Sequence, residues 1–379
     1  MNICIFAANY LPNIGGIERY CYYVSNELIK KGHTVTLVTN DVFNLGKEET
    51  QENSLKILRF PCINLLNARY PIHKRNETFK EIDKFLKEEN FDLFIINARF
   101  YTHSVYAARI AKKRNIKCFV IEHGCSHLSV NNKLLDFLGG IYEHLHTEFL
   151  KIYCKNYYAV SGTAGVWSKH FGIKSKGVLY NSVDVDEVNE ILNTTTLSYK
   201  NQYNLKETDK VITFTGRLIK EKGIYELINA VNKLNRDDVY LFIAGDGIEY
   251  ENLKKLQNKN IILLGRLGFS EVISLLKESD VFCLPSVSEG MSTSVLEAIA
   301  TKTLVITTQN SGAVELITDK SFGVIIKTNA EEEIYNALSM VIDDSEYIKK
   351  ATEKSYQRLI KDFTFENTAS KMIEILGDL

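Results

Sequence analysis

Short apolar runs alternate with amphipathic stretches along nearly the whole chain. Residues 2–8 form one apolar run, and residues 17–31 follow with helical spacing. Residues 34–39 are β-branched and apolar. Further runs lie at 91–97, 117–122, 157–160 and 177–180, separated by helical patterns such as 78–89 and 104–114. Unbroken apolar strands between helices predict a parallel sheet covered on both faces. The rhythm restarts near residue 210, with runs at 211–215, 239–244, 261–264, 281–284, 304–307 and 323–326, and a mostly helical stretch from 331 to 376. Residues 184–208 are polar, rich in Asn and Thr, and aperiodic, so the domain boundary is expected there. The fold class is therefore α/β, with two doubly wound, Rossmann-like parallel-sheet domains facing across a cleft.

Composition narrows the class. A length of 379 residues suits two or three domains, and 45% apolar with 25% charged residues is ordinary for a globular protein. No run approaches the ~20 apolar residues of a membrane span. The opening Met1-Asn2-Ile3-Cys4-Ile5-Phe6 reads as a buried strand and not as a signal peptide. Seven cysteines without a Cys-x-x-Cys pair suggest free thiols, hence a cytoplasmic location, and argue against a disulfide scaffold or zinc ribbon. The net charge of −1 hides an asymmetry: residues 1–183 hold 24 basic against 16 acidic side chains, and the remainder holds 22 against 31. The basic half suits an anionic surface, a polyphosphate or nucleic acid, or else reflects drift between two domains.

Ligands of open α/β sheets gather at the carboxyl ends of strands, so the loops there carry the chemistry. Asn13-Ile14-Gly15-Gly16-Ile17-Glu18 opens the first helix, where free N–H groups favour an anion; the alternative is a plain tight turn. The dinucleotide fingerprint is absent, because Tyr250 stands where Gly245-Asp246-Gly247 would need a third glycine. Arg217 and Lys222, in one strand-to-helix loop, suit a diphosphate, unless the loop is simply solvated. Glu289 and Glu297 flank the helix start formed by Gly290, Met291, Ser292, Thr293 and Ser294, a layout for an anion with a sugar at each end. The plainer readings are a helix cap for Glu289 and a surface ion pair for Glu297. Val120-Ile121-Glu122-His123-Gly124 places His123 at a strand end, able to donate to a phosphate or a sugar hydroxyl. His127, His144 and His146 lie nearby, but their spacing matches no metal motif, and they read as surface or acceptor-loop histidines. Leu134-Leu135-Asp136-Phe137-Leu138 reads first as the core face of a helix, the alternative being apolar residues interleaved with basic segments on a lipid-facing surface.

Together these residues resemble the retaining glycosyltransferases of family 4, which share the two-Rossmann GT-B architecture. Gly15-Gly16 matches that family's N-terminal glycine loop, and Glu122-His123-Gly124 its strand-end histidine. Asn181-Ser182-Val183-Asp184 resembles its interdomain crossing, with Ser182 in place of the usual glycine. Gly216-Arg217-Leu218 with Glu221-Lys222-Gly223 is close to its diphosphate loop. Leu264-Gly265-Arg266 stands in order, and Glu289 to Glu297 is similar to its Glu-x7-Glu signature, with Met291-Ser292 where Phe-Gly is common. Phe363-Thr364-Phe365 resembles the final crossing, which implies a discontinuous first domain: 1–183 plus 362–379 on the acceptor side, and 184–361 for the nucleotide-sugar.

The resemblance implies transfer of a sugar from a nucleoside diphosphate to an acceptor hydroxyl, with retention. UDP-hexose or UDP-N-acetylhexosamine is favoured as donor over GDP-mannose. Glu289 would hold the sugar, Glu297 the ribose, and the backbone of Gly265, Arg266 and Leu267 the base. Arg217 and Lys222 would neutralise the diphosphate in place of a metal, so no cofactor is expected. Gly15 and Gly16 would reach the phosphate, and His123 the donor. The basic segments Arg69, His73, Lys74, Arg75 and Arg109, Lys112, Lys113, Arg114 suggest a lipid-linked glycan acceptor at the cytoplasmic face of an anionic membrane, in surface polysaccharide (O-antigen, lipopolysaccharide or capsule) synthesis. Asn, Lys and Ile usage points to an AT-rich, bacterial genome. Competing readings are a sugar-nucleotide 2-epimerase, a dinucleotide oxidoreductase, and a silent sugar-nucleotide-binding protein; nucleic acid is not an expected partner.

Overall fold

The computed structural model describes residues 1–13, 15–51, 53–66, 69–127 and 132–378; Ile14 of the glycine loop lies outside them. The chain forms two compact units, Met1–Asn181 with Phe365–Leu379, and Ser182–Thr364. Val183 pairs with Thr364 in a parallel bridge and donates its N–H to Phe363 O at 3.2 Å, which keeps both crossing segments in the second unit.

The first unit holds strands β1 (Asn2–Phe6), β2 (Thr34–Asn40), β3 (Glu48–Thr50), β4 (Lys56–Phe60), β5 (Cys62–Leu65), β6 (Tyr70–His73), β7 (Leu93–Asn97), β8 (Lys117–Glu122) and β9 (Tyr157–Ala159). Its helices are α1 (Gly16–Lys30), α2 (Glu77–Glu88), α3 (Thr102–Arg114), α4 (Lys133–Tyr153), α5 (Gly162–Ser168) and the returning α14 (Phe365–Glu374), with a 3-10 turn at Lys169–Phe171. The main sheet runs β3-β4-β2-β1-β7-β8-β9, parallel except for the edge pair β3–β4; β5 and β6 form a separate hairpin. Alternate strand residues feed two cores. Ile3, Ile5, Leu37, Ile95 and Phe119 face one side, and Cys4, Phe6, Val38, Phe94 and Val120 the other. That is why these strands read as unbroken apolar runs.

The second unit holds β10 (Lys210–Thr215), β11 (Val239–Ala244), β12 (Ile261–Gly265), β13 (Val281–Leu284), β14 (Leu304–Thr308) and β15 (Val324–Ile326), in the order β12-β11-β10-β13-β14-β15. The helices are α6 (Val185–Thr194), α7 (Tyr199–Gln202), α8 (Ile224–Leu234), α9 (Tyr250–Lys254), α10 (Phe269–Lys277), α11 (Thr293–Ala300), α12 (Glu331–Val341) and α13 (Ser345–Asp362). All its strand pairs are parallel. In each unit the strand order reverses once, between β1 and β7 and between β10 and β13. Loops at such a reversal splay apart and leave room for a ligand.

Three sequence expectations need correction. Residues 184–208 carry α6 and α7; Asp184 caps α6 through its carboxylate, which accepts from Glu187 N at 3.0 Å. Residues 177–180 do not form a strand, and only Val178 bridges to Ala159. Most apolar residues of α4 do not face the core: Leu134, Phe137 and Leu145 are each about two-thirds exposed, and Leu138, Ile141, Phe149 and Ile152 are exposed as well. The buried stripe of α4 is Glu143, Thr147 and Leu150.

Arg99 explains this inversion. Its guanidinium is 2% exposed. Nε lies 2.8 Å from Glu122 Oε2, and Nη2 lies 3.1 Å from Glu143 Oε2. The Phe171 ring stacks 3.5 Å below its carbon. One cation thus joins the ends of β7 and β8, helix α4 and the 3-10 turn. Breaking a buried pair strands its partners' charges. Arg99→Ala is expected to destabilise the first unit by about 3–5 kcal/mol, measured by denaturant unfolding; a loss below about 1 kcal/mol would show that the carboxylates find water instead.

Candidate functional site

In the second unit the two loops flanking the strand reversal meet. β10 ends in Thr215-Gly216-Arg217, and a 3-10 turn at Lys220–Lys222 leads through Gly223 into α8. β13 ends at Leu284, and Pro285–Ser292 leads into α11. Gly223 has φ +70°, and a Cβ there would stand 2.3 Å from Pro285 O. Only glycine admits both that conformation and that approach. Val287 N donates to Glu221 O at 2.9 Å, tying the loops again.

This packing brings Lys222 Nζ onto Glu289 Oε1. The same oxygen accepts from Ser286 Oγ at 2.9 Å. Glu289 is also pinned by its backbone, with N donating to Asn310 O at 3.0 Å and O accepting from Gly312 N at 3.3 Å. Arg217 is exposed and has no ion pair or side-chain hydrogen bond among the described residues. So one cation of the loop is compensated and one is open. Gly290, Ser292, Thr293 and Ser294 are half-buried at the start of α11, whereas Met291 and Glu297 are buried, at 6% and 5% exposure. Gly265, with φ +73°, accepts from Gly245 N at 2.7 Å, and Arg266 is exposed beside it.

In the first unit Glu122 Oε1 accepts from the N–H groups of His123 and Gly124, both at 3.0 Å, and holds the loop after β8. His123 Nε2 lies 2.9 Å from Asn97 Oδ1. Asn97 Nδ2 donates to Phe6 O at 3.2 Å, which fixes the amide orientation and makes Oδ1 the acceptor facing His123. His123 therefore carries its proton on Nε2, and Nδ1 is left as an acceptor. Burial pushes its pKa down to about 3, so it is neutral at pH 7. This corrects the expectation of a donor: a neutral acceptor nitrogen suits a sugar hydroxyl and not a phosphate. At the glycine loop, a Cβ on Gly15 would meet Glu18 Oε2 at 2.4 Å, while Gly16 is open. Glu18 accepts from Asn13 Nδ2 at 2.8 Å, and burial raises its pKa. A carboxyl group already occupies this helix start, so a phosphate arriving there must displace it.

Of the basic segments, Arg69, Lys74 and Arg75 are exposed. His73 is not available to an acceptor, because its Nε2 lies 2.9 Å from His103 Nδ1, and His103 Nε2 lies 3.0 Å from Val38 O. Lys112 and Arg114 cap backbone carbonyls of Ile152 and Leu86. Sequence reading missed Arg99 and Glu143, for which an Arg just beyond a strand end, level with Glu122, was the available signal. It also missed that His170 joins His127 and His144, since 43 and 26 residues of chain separate it from them. His146 instead meets Tyr101 O at 2.9 Å.

Several known proteins to which this chain is similar are glycosyltransferases. Residues 14–187 match the model of Glycosyltransferase Family 4, and residues 196–358 that of Glycosyl transferases group 1. The chain is 23% identical to an uncharacterized glycosyltransferase of Methanocaldococcus jannaschii, over 100% of this chain and 99% of the relative. It is 24% identical to a Campylobacter jejuni GalNAc-alpha-(1->4)-GalNAc-alpha-(1->3)-diNAcBac-PP-undecaprenol alpha-1,4-N-acetyl-D-galactosaminyltransferase, over 97% and 96%. An Anabaena protein solved in complex with UDP-glucose superposes with a TM-score of 0.76 at 16% identity, over the full length of both chains.

The buried histidine pair sets an acid limit. Burial pushes His103 down to about 4 and His73, also facing His103, down to about 2. Above about pH 6.5 both are neutral folded or unfolded. As pH falls below that, the unfolded chain takes up protons that the folded chain refuses. His103 alone should then remove about 1.4 kcal/mol of stability per pH unit down to its folded value. Thermal melts from pH 8 to pH 4 should show this decline, and His103→Gln should make it shallower by that one proton while His73 and His123 continue to contribute; parallel wild-type and variant slopes would refute it.

Proposed function

The chain belongs to the family 4, group 1 glycosyltransferases, and from that membership we propose that it moves a sugar from a nucleoside diphosphate to a hydroxyl of a glycan acceptor, retaining the anomeric configuration. The observation that carries this reading is the open Arg217 beside the Lys222–Glu289 pair, on the two loops at the strand reversal of the second unit. In the proposed reaction the bond from the anomeric carbon to the β-phosphate oxygen breaks. The acceptor oxygen bonds to that carbon on the same face, its proton passes to the departing phosphate, and the nucleoside diphosphate leaves. Arg217 and Lys222 stabilise the negative charge that grows on the leaving group, so the step requires no metal. Lys222 turns to the phosphate and frees Glu289 to accept from sugar hydroxyls. Glu297 binds the ribose and the Gly265–Leu267 backbone the base. In the first unit, His123 Nδ1 is the group suited to a sugar hydroxyl.

A UDP-hexose or UDP-N-acetylhexosamine is the proposed donor, supported by the UDP-glucose complex of the Anabaena neighbour and the N-acetylgalactosamine transfer in the Campylobacter relative's name. The proposed acceptor is a lipid-linked glycan of a surface polysaccharide, as that relative's name also suggests. The outward face of α4 supports a lipid surface. Its exposed Leu134, Leu138, Ile141, Leu145, Phe149 and Ile152 recur every three or four residues, a stripe along ~30 Å of helix. Ile63, Leu65 and Leu66 of the β5–β6 hairpin are also exposed, and Tyr70 of that hairpin bonds Tyr142 of α4 through their hydroxyls. Arg69, Lys74 and Arg75 add cations for anionic headgroups. No described helix is long and apolar enough to cross a membrane, so α4 would lie along the interface.

Two measurements test the reading. Thermal shift and nucleotide release across a panel of nucleotide-sugars, with EDTA present, should single out one donor. Arg217→Ala should weaken its binding at least about tenfold, the scale of one charge-assisted contact; no shift with any donor, from folded protein, would sink the donor site. Co-sedimentation with vesicles containing anionic lipid should capture the chain, and Leu138→Asp with Leu145→Asp should release it without changing donor binding. Equal recovery of wild type and variant would remove the membrane part and leave the donor site standing.

A further inference from the structure

Three histidines from separate segments converge in the first unit, one of them on the loop that also carries His123. His127 follows β8, His144 stands on α4, and His170 lies in the 3-10 turn. His170 Nε2 lies 3.2 Å from His127 Nε2 and 3.1 Å from His144 Nε2, and the possible ligand atoms of all three fall within 4.8 Å of one another. Four ligands at the usual ~2.0–2.1 Å from a tetrahedral zinc ion stand about 3.3 Å apart. The two short spacings are close to that value without an ion to impose it.

Proton counting supports a cation. A ring nitrogen offers either one proton or one lone pair. His170 Nε2 faces two other nitrogens and can satisfy only one of them well. An ion at the centre satisfies all three lone pairs. The surroundings suit a cation: His127 Nδ1 faces Glu143 Oε2 at 3.2 Å, short of hydrogen-bond geometry, which leaves Nε2 turned to the other two rings. A carboxylate behind a ligating histidine orients the ring and raises its basicity. Glu143 and Glu122 together outnumber Arg99, leaving one negative charge in excess beneath the cluster. Trp167 stacks on His170 at 4.9 Å and 14°, and Phe171 packs on His144 at 4.6 Å, so the rings are held from behind. His144 and His170 are exposed, which gives an ion access and leaves a fourth position for water.

We propose that His127, His144 and His170 form a site for one divalent first-row transition ion, zinc foremost, that staples the loop after β8 to α4 and to the turn at Lys169–Phe171. Imidazole ligands suit Zn(II), Co(II), Ni(II) and Cu(II), and exclude Mg(II) and Ca(II) as occupants. The ion is structural: it braces the loop that also carries His123, and it takes no part in bond breaking.

The test uses untagged full-length protein stripped with EDTA and dialysed. Titration with ZnCl2 should give one equivalent per chain and raise the melting temperature by roughly 5 °C at a hundredfold excess over Kd. Co(II) should give the intense visible bands of a tetrahedral site. His144→Gln and His170→Gln replace exposed side chains, so both should fold; each should lose at least about tenfold in affinity and the Co(II) bands. His33→Gln, at the far edge of the unit, should bind as wild type. Absence of stoichiometric binding in the wild type, or unchanged binding in the double variant His144→Gln/His170→Gln, would overturn the site. Donor binding is scored separately in EDTA, so failure here does not touch the transferase reading.

Discussion

The first unit is organised around a buried cation. Arg99 lies between Glu122 and Glu143, over the ring of Phe171. Burying three charges is costly, and mutual attraction and the backbone donors on Glu122 offset it, although Arg99 Nε and Glu122 Oε2 meet as an ion pair without hydrogen-bond geometry. What it yields is position. Glu122 turns its second oxygen to the N–H groups of His123 and Gly124, so the shape of that loop depends on the carboxylate that Arg99 neutralises. Glu143 faces His127 Nδ1 at 3.2 Å, and Phe171 adjoins His170. The strand-end histidine and the three-histidine cluster are thus two outputs of one electrostatic constraint.

The second unit solves the same problem of placement by close packing. Gly223 lets the loop after β10 touch Pro285, and Gly245 lets the loop after β11 approach Gly216, where a Cβ would stand 1.9 Å from the carbonyl oxygen. These contacts set Lys222 on Glu289 without burying either fully; their side chains are 15% and 14% exposed. A compensated pair at a loop junction can exchange partners when a stronger anion arrives, which a deeply buried pair such as Arg99–Glu122 cannot do at comparable cost.

Much of this was legible in the sequence, and the limits have physical causes. The central strands read correctly because both faces are covered, so every residue is apolar. β4 was not singled out, because Arg59 interrupts its short run, and that arginine is buried against Glu49 of the edge strand. The placement of Arg217, Lys222 and Glu289 on strand-end loops was legible because such loops follow directly from the ends of the apolar runs. The strand-end position of His123 was legible, but its proton was not, since the tautomer depends on Asn97 and Phe6 about 26 and 117 residues away. The periodicity of α4 was also plain; its direction was not. A periodic apolar stripe says that a helix has two faces and is silent on which one turns inward.

That direction has a consequence for how α4 behaves as a body. A helix packed by leucines alone can roll by tens of degrees and repack. α4 is held by Arg99 to Glu143 and Thr147, and rolling its leucines inward would pull both from the guanidinium. The ionic contacts act as a rotational detent, and the hydrophobic effect strains against it. The energy withheld, roughly 25 cal/mol for each Å² of apolar surface left wet, is not lost to the protein; it remains as latent affinity, released when something apolar comes to lie along that face.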